Sequence, residues 1–313
     1  MSDTGSIVVG VDGSNLSMAA TLWAAAVAAR CGDTLHLVDV MTSVDQALMT
    51  IIAPEQRDAG SPPRELGHAV LSRAADAVRA DFPGVKIVRT LSQQRTEDLL
   101  TELSRQARLV VLPCADVSAV GALLVGSTAV TVATHSHCPV VAWRGDAREL
   151  DTRPIVVGVD DTSDPHACLV TALALAEQLR VPLSVVHALS PHRSPGDINI
   201  PIIIDHAALE HEALQRLSTA IAPIIDHWPE VEVHCVVGTG KASRVILDHA
   251  EGAQLVVVGT RGRGKLASAL MGSTGLSLMH HSAVPVVVCP TPAASYAARP
   301  VQGDAHDSPA ARQ

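Results

Sequence analysis

The chain has 313 residues, 47% of them hydrophobic, yet only five are aromatic: Trp23, Phe82, Trp143, Trp228 and Tyr296. That length predicts about two domains, with cores of Val, Leu, Ile and Ala, and the apolar fraction excludes a disordered chain. Lys and Arg number 23 against 32 Asp and Glu, a formal net charge of −9, which excludes a global basic field for phosphate backbones; so few rings exclude base stacking along a single strand of nucleic acid.

Short β-branched runs alternate with longer helical patterns from the start of the chain. Strands are predicted at 7–11, 34–40, 86–91, 109–112 and 140–143. A polar linker follows at 145–153, GDARELDTR, closed by Pro154. Strands are predicted again at 155–159, 183–188, 231–237, 255–258 and 284–289, with helices near 165–179, 204–221, 242–250 and 273–281. Several of these helices start just after Ser, Thr or Asp, residues that cap helix N-termini. The tail from 293 to 313 has no apolar period and is predicted to be disordered.

The chain is written twice. IVVGVDGS at 7–14 returns as IVVGVDDT at 155–162, an offset of 148, and Gly126-Ser127-Thr128 returns as Gly272-Ser273-Thr274, an offset of 146. The predicted units are therefore 1–146 and 147–292. Nearly continuous apolar strands are those of a sheet covered on both faces. Alternating β and α elements with right-handed crossovers give a doubly wound α/β fold, here two tandem five-stranded parallel sheets. The fifth strands are predicted to pair, since two exposed apolar edges would otherwise invite aggregation.

The uncharged run 117–143 is long enough to cross a bilayer. Gly, Ser, Thr, His and Pro interrupt it and a similar run recurs at 266–289, so a soluble repeat is expected and no membrane partner. The opening MSDTGSIVVG lacks the basic and apolar blocks of a secretory signal. Six scattered cysteines without CxxC predict reduced thiols in the cytoplasm.

Doubly wound sheets bind ligands at the carboxyl ends of their strands, near the point where strand order reverses. After the fourth strand of the second unit come Gly259, Arg261, Gly262, Arg263, Gly264 and Lys265, then Gly272, Ser273, Thr274 and Gly275, which open a helix. Glycines let backbone N–H groups approach a phosphate, the helix start adds oriented donors, and three cations make the loop basic in an acidic chain. The composition and position are those of a polyphosphate cradle, although the three cations also fit a plain solvated loop. A true P-loop needs a Ser or Thr after the lysine, where Leu266 stands.

The spacing Gly259-x2-Gly262-x9-Gly272-Ser273, behind a strand of a unit that begins VVGVD, resembles the universal stress protein family, whose ATP-binding members carry G-x2-G-x9-G-[S/T]. The resemblance covers both units and implies a Rossmann-like fold of the adenine nucleotide alpha hydrolase type. It implies ATP as ligand, with Asp160 and Gly158 on the ribose or adenine side, Ala188 lining the adenine pocket, and Mg²⁺ held mainly by the phosphates. It also implies a cytoplasmic stress-response regulator that hydrolyses ATP slowly at most, and a homodimer. A nucleotide-independent interaction module is the alternative within the same family.

The first unit keeps Gly10, Asp12, Val40, Gly126, Ser127 and Thr128 but departs elsewhere. Pro113 stands where Gly259 does and Asp116 where Gly262 does; Ala115, Val117 and Ala119 replace the cations. A proline lacks the N–H donor and a carboxylate repels phosphate, so weak or no ATP binding is expected there. Asp12 could equally cap the helix that follows it; Asp160 could do the same, but there the ligand role is favoured. His135, His137 and Cys138 have the look of a metal cluster, but the repeat keeps neither the second His nor the Cys. His206 and His211 fall on different faces of a helix. Neither group is expected to hold a metal. No nucleophile motif, catalytic dyad or catalytic residue is visible.

Overall fold

The computed structural model describes residues 5–41, 62–114, 126–144, 150–160, 166–189, 206–260 and 271–290. The first unit runs β1 (Ser6–Gly10), α1 (Asn15–Cys31), β2 (Thr34–Val40), α2 (Pro62–Asp81), β3 (Ile87–Ser92), α3 (Thr96–Leu103), β4 (Leu109–Pro113), α4 (Ser127–His135) and β5 (Val140–Trp143). The second runs β6 (Ile155–Val159), α5 (His166–Leu179), β7 (Leu183–Leu189), α6 (His206–Ile225), β8 (Val233–Thr239), α7 (Ala242–Ala250), β9 (Leu255–Gly259), α8 (Ser273–His281) and β10 (Val286–Cys289).

The ten strands form one sheet in the order β3-β2-β1-β4-β5-β10-β9-β6-β7-β8. Each unit is parallel within itself, and β5 and β10 pair antiparallel in the register Val286 to Ala142, Val287 to Val141 and Val288 to Val140. This seam sets the geometry of everything that follows. Because it is antiparallel, the carboxyl ends of the first unit's strands lie on the opposite edge of the sheet from those of the second unit. The strand order reverses between β1 and β4 in one unit and between β6 and β9 in the other.

Helices cover both faces. One core cluster joins the strands to α1, α2, α5 and α6, the other to α3, α4, α7 and α8, and each cluster runs through both units. Of the strand side chains at the seam, Val140, Val141, Val286, Val287 and Val288 are all fully buried. Ala-rich α1 is buried over most of its length because β1, β4, α2 and α5 surround it. Its C-cap Gly32 takes φ 68°, and Arg180 holds φ 56° at the matching end of α5. That conformation costs an L-residue roughly 1–2 kcal/mol.

Several boundaries differ from the sequence expectation by one or two residues or more. The third strand of the second unit starts at Val233 rather than 231, because the Val231 N–H is bonded to the Trp228 carbonyl at 3.1 Å in a turn. The last strand starts at Val286 rather than 284, since Val284 N–H donates to Ser282 Oγ at 3.2 Å and Pro285 has no N–H to give to a ladder. Helix α6 runs on to Ile225 with Pro223 in its final turn. The uncharged run 117–143 includes the nine-residue α4 and the short β5. Among the described residues no helix is long and apolar enough to cross a membrane. The predicted disordered tail lies outside the described residues.

Burial lowers the pKa of His36, whose Nε2 lies 2.8 Å from Thr90 Oγ1, and of His280, which Arg144 and His281 depress further. Both imidazoles therefore stay neutral in the folded chain at a pH where the unfolded chain, titrating near 6.5, takes up protons. Stability is expected to fall as pH drops through that value. The midpoint of thermal unfolding should be lower at pH 5.5 than at pH 7.5, and the double variant His36→Gln, His280→Gln should narrow the difference.

Candidate functional site

The second unit brings four strand ends together at the reversal point. Strand β6 delivers Gly158 and, directly after it, half-buried Asp160; β7 delivers His187 and Ala188; β9 delivers Gly259. The Thr260 N–H donates to the Cys289 carbonyl at 2.9 Å, so the chain leaving β9 stays pinned to β10. It returns at Gly272, whose N–H donates to the Thr260 carbonyl at 2.8 Å. Both ends of the Gly259-to-Gly272 loop are thus tied at one point. Gly275 packs over the same strand end, where a Cβ would lie 3.8 Å from the Gly259 carbonyl oxygen.

Helix α8 starts there with Gly272 as N-cap, so no side chain closes its first turn. Helix α1 is the contrast: its N-cap Ser14 accepts a hydrogen bond from the Ser17 N–H at 3.0 Å. A helix start without a side-chain cap offers N–H groups and the positive end of the helix dipole to an anion. Ser273 and Thr274 sit in that first turn, whereas Arg261, Gly262, Arg263, Gly264 and Lys265 fall outside the described residues.

Two residues of the second unit have roles that the sequence did not disclose. A Cβ on Gly158 would lie 2.5 Å from Ile246 Cδ1 and 3.3 Å from Val258 Cγ1, so this glycine makes room for α7 against the sheet. His187 is 3% exposed, and its Nδ1 is 2.9 Å from the Val159 carbonyl. A carbonyl only accepts, so Nδ1 carries the proton and ties the end of β7 to the end of β6 beside Asp160. The available signal was a lone histidine inside the apolar run Val185-Val186-His187-Ala188.

In the first unit Gly10, Asp12 and Val40 occupy the matching strand ends and Gly126, Ser127 and Thr128 the matching helix start. Asp12 does not cap α1. Its Oδ1 accepts the Ser14 N–H at 2.9 Å, and Ser14 supplies the cap. Burial works to raise the Asp12 pKa, but hydrogen bonds from the Ser14 hydroxyl and backbone and from Ser17 outweigh it, leaving the carboxyl below its usual value. Gly126 leaves α4 without a side-chain cap, as Gly272 does for α8.

There the likeness ends, for a reason absent from the motif. Thr128 Oγ1 donates to Glu97 Oε1 at 3.0 Å, and Arg95 Nε stands 4.0 Å from the other carboxylate oxygen. Glu97 comes from the first turn of α3, a distant segment whose counterpart in α7 is Ser243 at the 146-residue offset. An internal carboxylate therefore bonds the hydroxyl in the first turn of α4. Pro113 ends β4, while Asp116 falls outside the described residues.

His135, His137 and Cys138 hold no common centre. His135 Nδ1 lies 2.8 Å from the Thr131 carbonyl, and burial pushes the Cys138 thiol up to about 12. His211 Nε2 lies 3.0 Å from Gln215 Nε2 on an exposed face. Among the described residues no group of three His, Cys, Asp or Glu could hold a metal. All six cysteines are free thiols, and burial raises those of Cys31 and Cys114 to about 11.

The sequence profile of the Universal stress protein family matches residues 4–144 and again 151–290. Universal stress protein Rv2005c of Mycobacterium tuberculosis H37Rv is 31% identical over 294 residues, covering 90% of this chain and 96% of the relative. Universal stress protein Rv1996 of the same strain is 30% identical over 312 residues, covering 91% and 95%. A universal stress protein from Archaeoglobus fulgidus DSM 4304 superposes with a TM-score of 0.65 at 19% identity, covering 91% of this chain and 98% of that one. Protein PA1789 from Pseudomonas aeruginosa PAO1 gives 0.62 at 17% identity, covering 94% and 95%. At these identities the two structures speak for the fold, and the profile and the relatives for descent. The chain belongs to the universal stress protein family, as a member with two tandem Rossmann-like domains.

Proposed function

We propose that this chain is an ATP-binding, cytoplasmic stress-response regulator whose second domain holds ATP as a regulatory ligand, with slow hydrolysis at most. The observation that carries the reading is the closure of the loop after β9. The Gly272 N–H bond to the Thr260 carbonyl at 2.8 Å brings the uncapped start of α8 to the strand end where Gly259 leaves the sheet. Such a point suits a phosphate chain, and the position of Asp160 and Ala188 beside it suits the nucleoside. Magnesium would be held mainly by the phosphates. Ligand at a hundredfold over its Kd would stabilise the bound state by about 2.7 kcal/mol, enough to bias a two-state surface.

The test is the nucleotide released by heating the purified full chain. ATP near one per chain supports a single competent site in the second domain. Two per chain would overturn the reading of the first domain, where Pro113 and Glu97 oppose phosphate. None, even after soaking in magnesium and ATP, would favour the second reading, a nucleotide-independent interaction module. The Glu97 bond to Thr128 is the observation that favours that reading, because it commits the start of α4 to an internal contact. A homodimer of the kind the family resemblance implies would have to use a surface other than β5 and β10, which already pair with each other.

A further inference from the structure

Two arginines of the first domain reach across the seam and donate to the last turns of two second-domain helices. Arg144, which directly follows β5, gives Nη1–H to the His280 carbonyl of α8 at 3.0 Å. Arg30, in the last turn of α1, gives Nη1–H to the Leu179 carbonyl of α5 at 3.1 Å. The first contact lies on the α8 face of the sheet and the second on the α5 face. The final carbonyls of a helix have no partner within it and carry the negative end of its dipole, so a guanidinium there satisfies both needs.

These are the two helices that border the second-domain crevice. Helix α8 begins at the phosphate position, and α5 follows Asp160. Each is therefore held at its far end by the other domain. The arrangement does not run both ways: at the offsets of 148 and 146, the positions of Arg30 and Arg144 are taken by Gln178 and Pro290. Proline has no donor at all, and Gln178 carries no charge.

Arg144 is the stronger hold. It is 3% exposed, and burying a guanidinium is costly unless its surroundings compensate. It also sits at the base of the first domain's own degenerate loop. The Cys114 N–H, directly after β4, donates to the Trp143 carbonyl at 2.9 Å, and the charge of Arg144 lowers the Cys114 thiol against the larger effect of burial. Any ligand or partner that shifts the segment leaving β4 would move Trp143 and Arg144 with it, and so α8.

We propose that the first domain, having lost its own cradle, regulates the second by holding α8 and α5 through Arg144 and, more weakly, Arg30. The regulated site rests on the nucleotide reading given above; the hold on the helices does not. Arg144 is a positioning residue in this scheme and touches no ligand.

The test compares wild type with Arg144→Met, Arg144→Lys and Arg30→Gln in the full chain, by calorimetric titration of magnesium-ATP and by native-state hydrogen exchange. Methionine fills the space without a donor or charge and leaves the His280 carbonyl without its Arg144 donor, whereas lysine keeps both the donor and the charge. Arg144→Met should weaken ATP binding by about fivefold, the effect of one cation at a helix C-terminus. Arg144→Lys should restore most of it, and Arg30→Gln should fall between Lys and wild type. Exchange of the α8 amides should quicken in Arg144→Met while those of α7 stay unchanged. Unaltered affinity, or a loss that lysine does not rescue, would overturn the proposed regulation. Unaltered or uniformly quickened exchange would overturn the hold itself. If wild type takes up no ATP, the nucleotide reading falls, the regulatory part falls with it, and the exchange experiment still decides the hold on α8.

Discussion

Gly272→Glu should remove ATP from the full chain, and Gly126→Glu should leave its ATP content unchanged. Gly272 caps α8 without a side chain at the point where its N–H meets Thr260. A glutamate there brings a carboxylate to the place proposed for the phosphates. Two unit charges about 4 Å apart repel by roughly 4 kcal/mol at an effective dielectric near 20. With salt screening at a half-exposed position, the expected loss of affinity is roughly a hundredfold or more. The matching change in the first domain is sterically free, since a Cβ on Gly126 meets nothing within 4 Å. It adds a charge where Glu97 already supplies one. Titration of each variant with magnesium-ATP, with circular dichroism to confirm the fold, separates the outcomes. Loss in Gly126→Glu alone would move the ligand to the first domain, and full binding in both would remove it from either cradle.

Trp143→Ala should be the most destabilising single change at the seam, by about 3–5 kcal/mol. Trp143 is fully buried at the end of β5, within the core cluster that also contains Val287 and Cys289 of β10 and runs through α1 and α5. At the size of this chain that loss lowers Tm by on the order of 10 °C. Trp143→Phe should cost much less. It keeps most of the ring and removes an indole N–H that, among the described residues, has no acceptor. Because both core clusters cross the seam, calorimetry should show one transition for wild type and for both variants. Two resolved transitions in wild type would mean that the domains unfold independently and the shared core contributes little.

The fold was legible because its signals are local and repeated. Apolar runs such as Leu255-Val-Val-Val258 lie in a parallel sheet covered on both faces, and the same pattern occurs twice at nearly constant spacing. The strand starts that shifted most did so at Val231 and Val284, where turn hydrogen bonds take backbone groups away from the ladder. The glycine strand end at Gly259 and the helix start at Gly272 were legible for a similar reason, since glycines and a helix start advertise themselves by residue type. His187, Glu97 and Arg144 were not. Each acts through a contact with an element distant in the chain: the end of β6, the start of α4, or the end of α8. No spacing rule connects a histidine inside an apolar strand, or a charge in a surface helix, to such a partner.

The sequence by itself determined the duplication, the α/β class, the aliphatic cores and the unequal loops of the two halves, because composition, periodicity and glycine placement are properties of single segments. The sequence also pointed to the pairing of the fifth strands, and the tertiary structure decided its direction and register. Antiparallel pairing of β5 with β10 turns two five-stranded sheets into one of ten strands and sends the two crevices to opposite edges. It also places Arg30 and Arg144 of the first half at the ends of α5 and α8 in the second. Strand direction across a seam is set by side-chain packing and hydrogen bonds between segments far apart in the chain, and neither is written in any one of them.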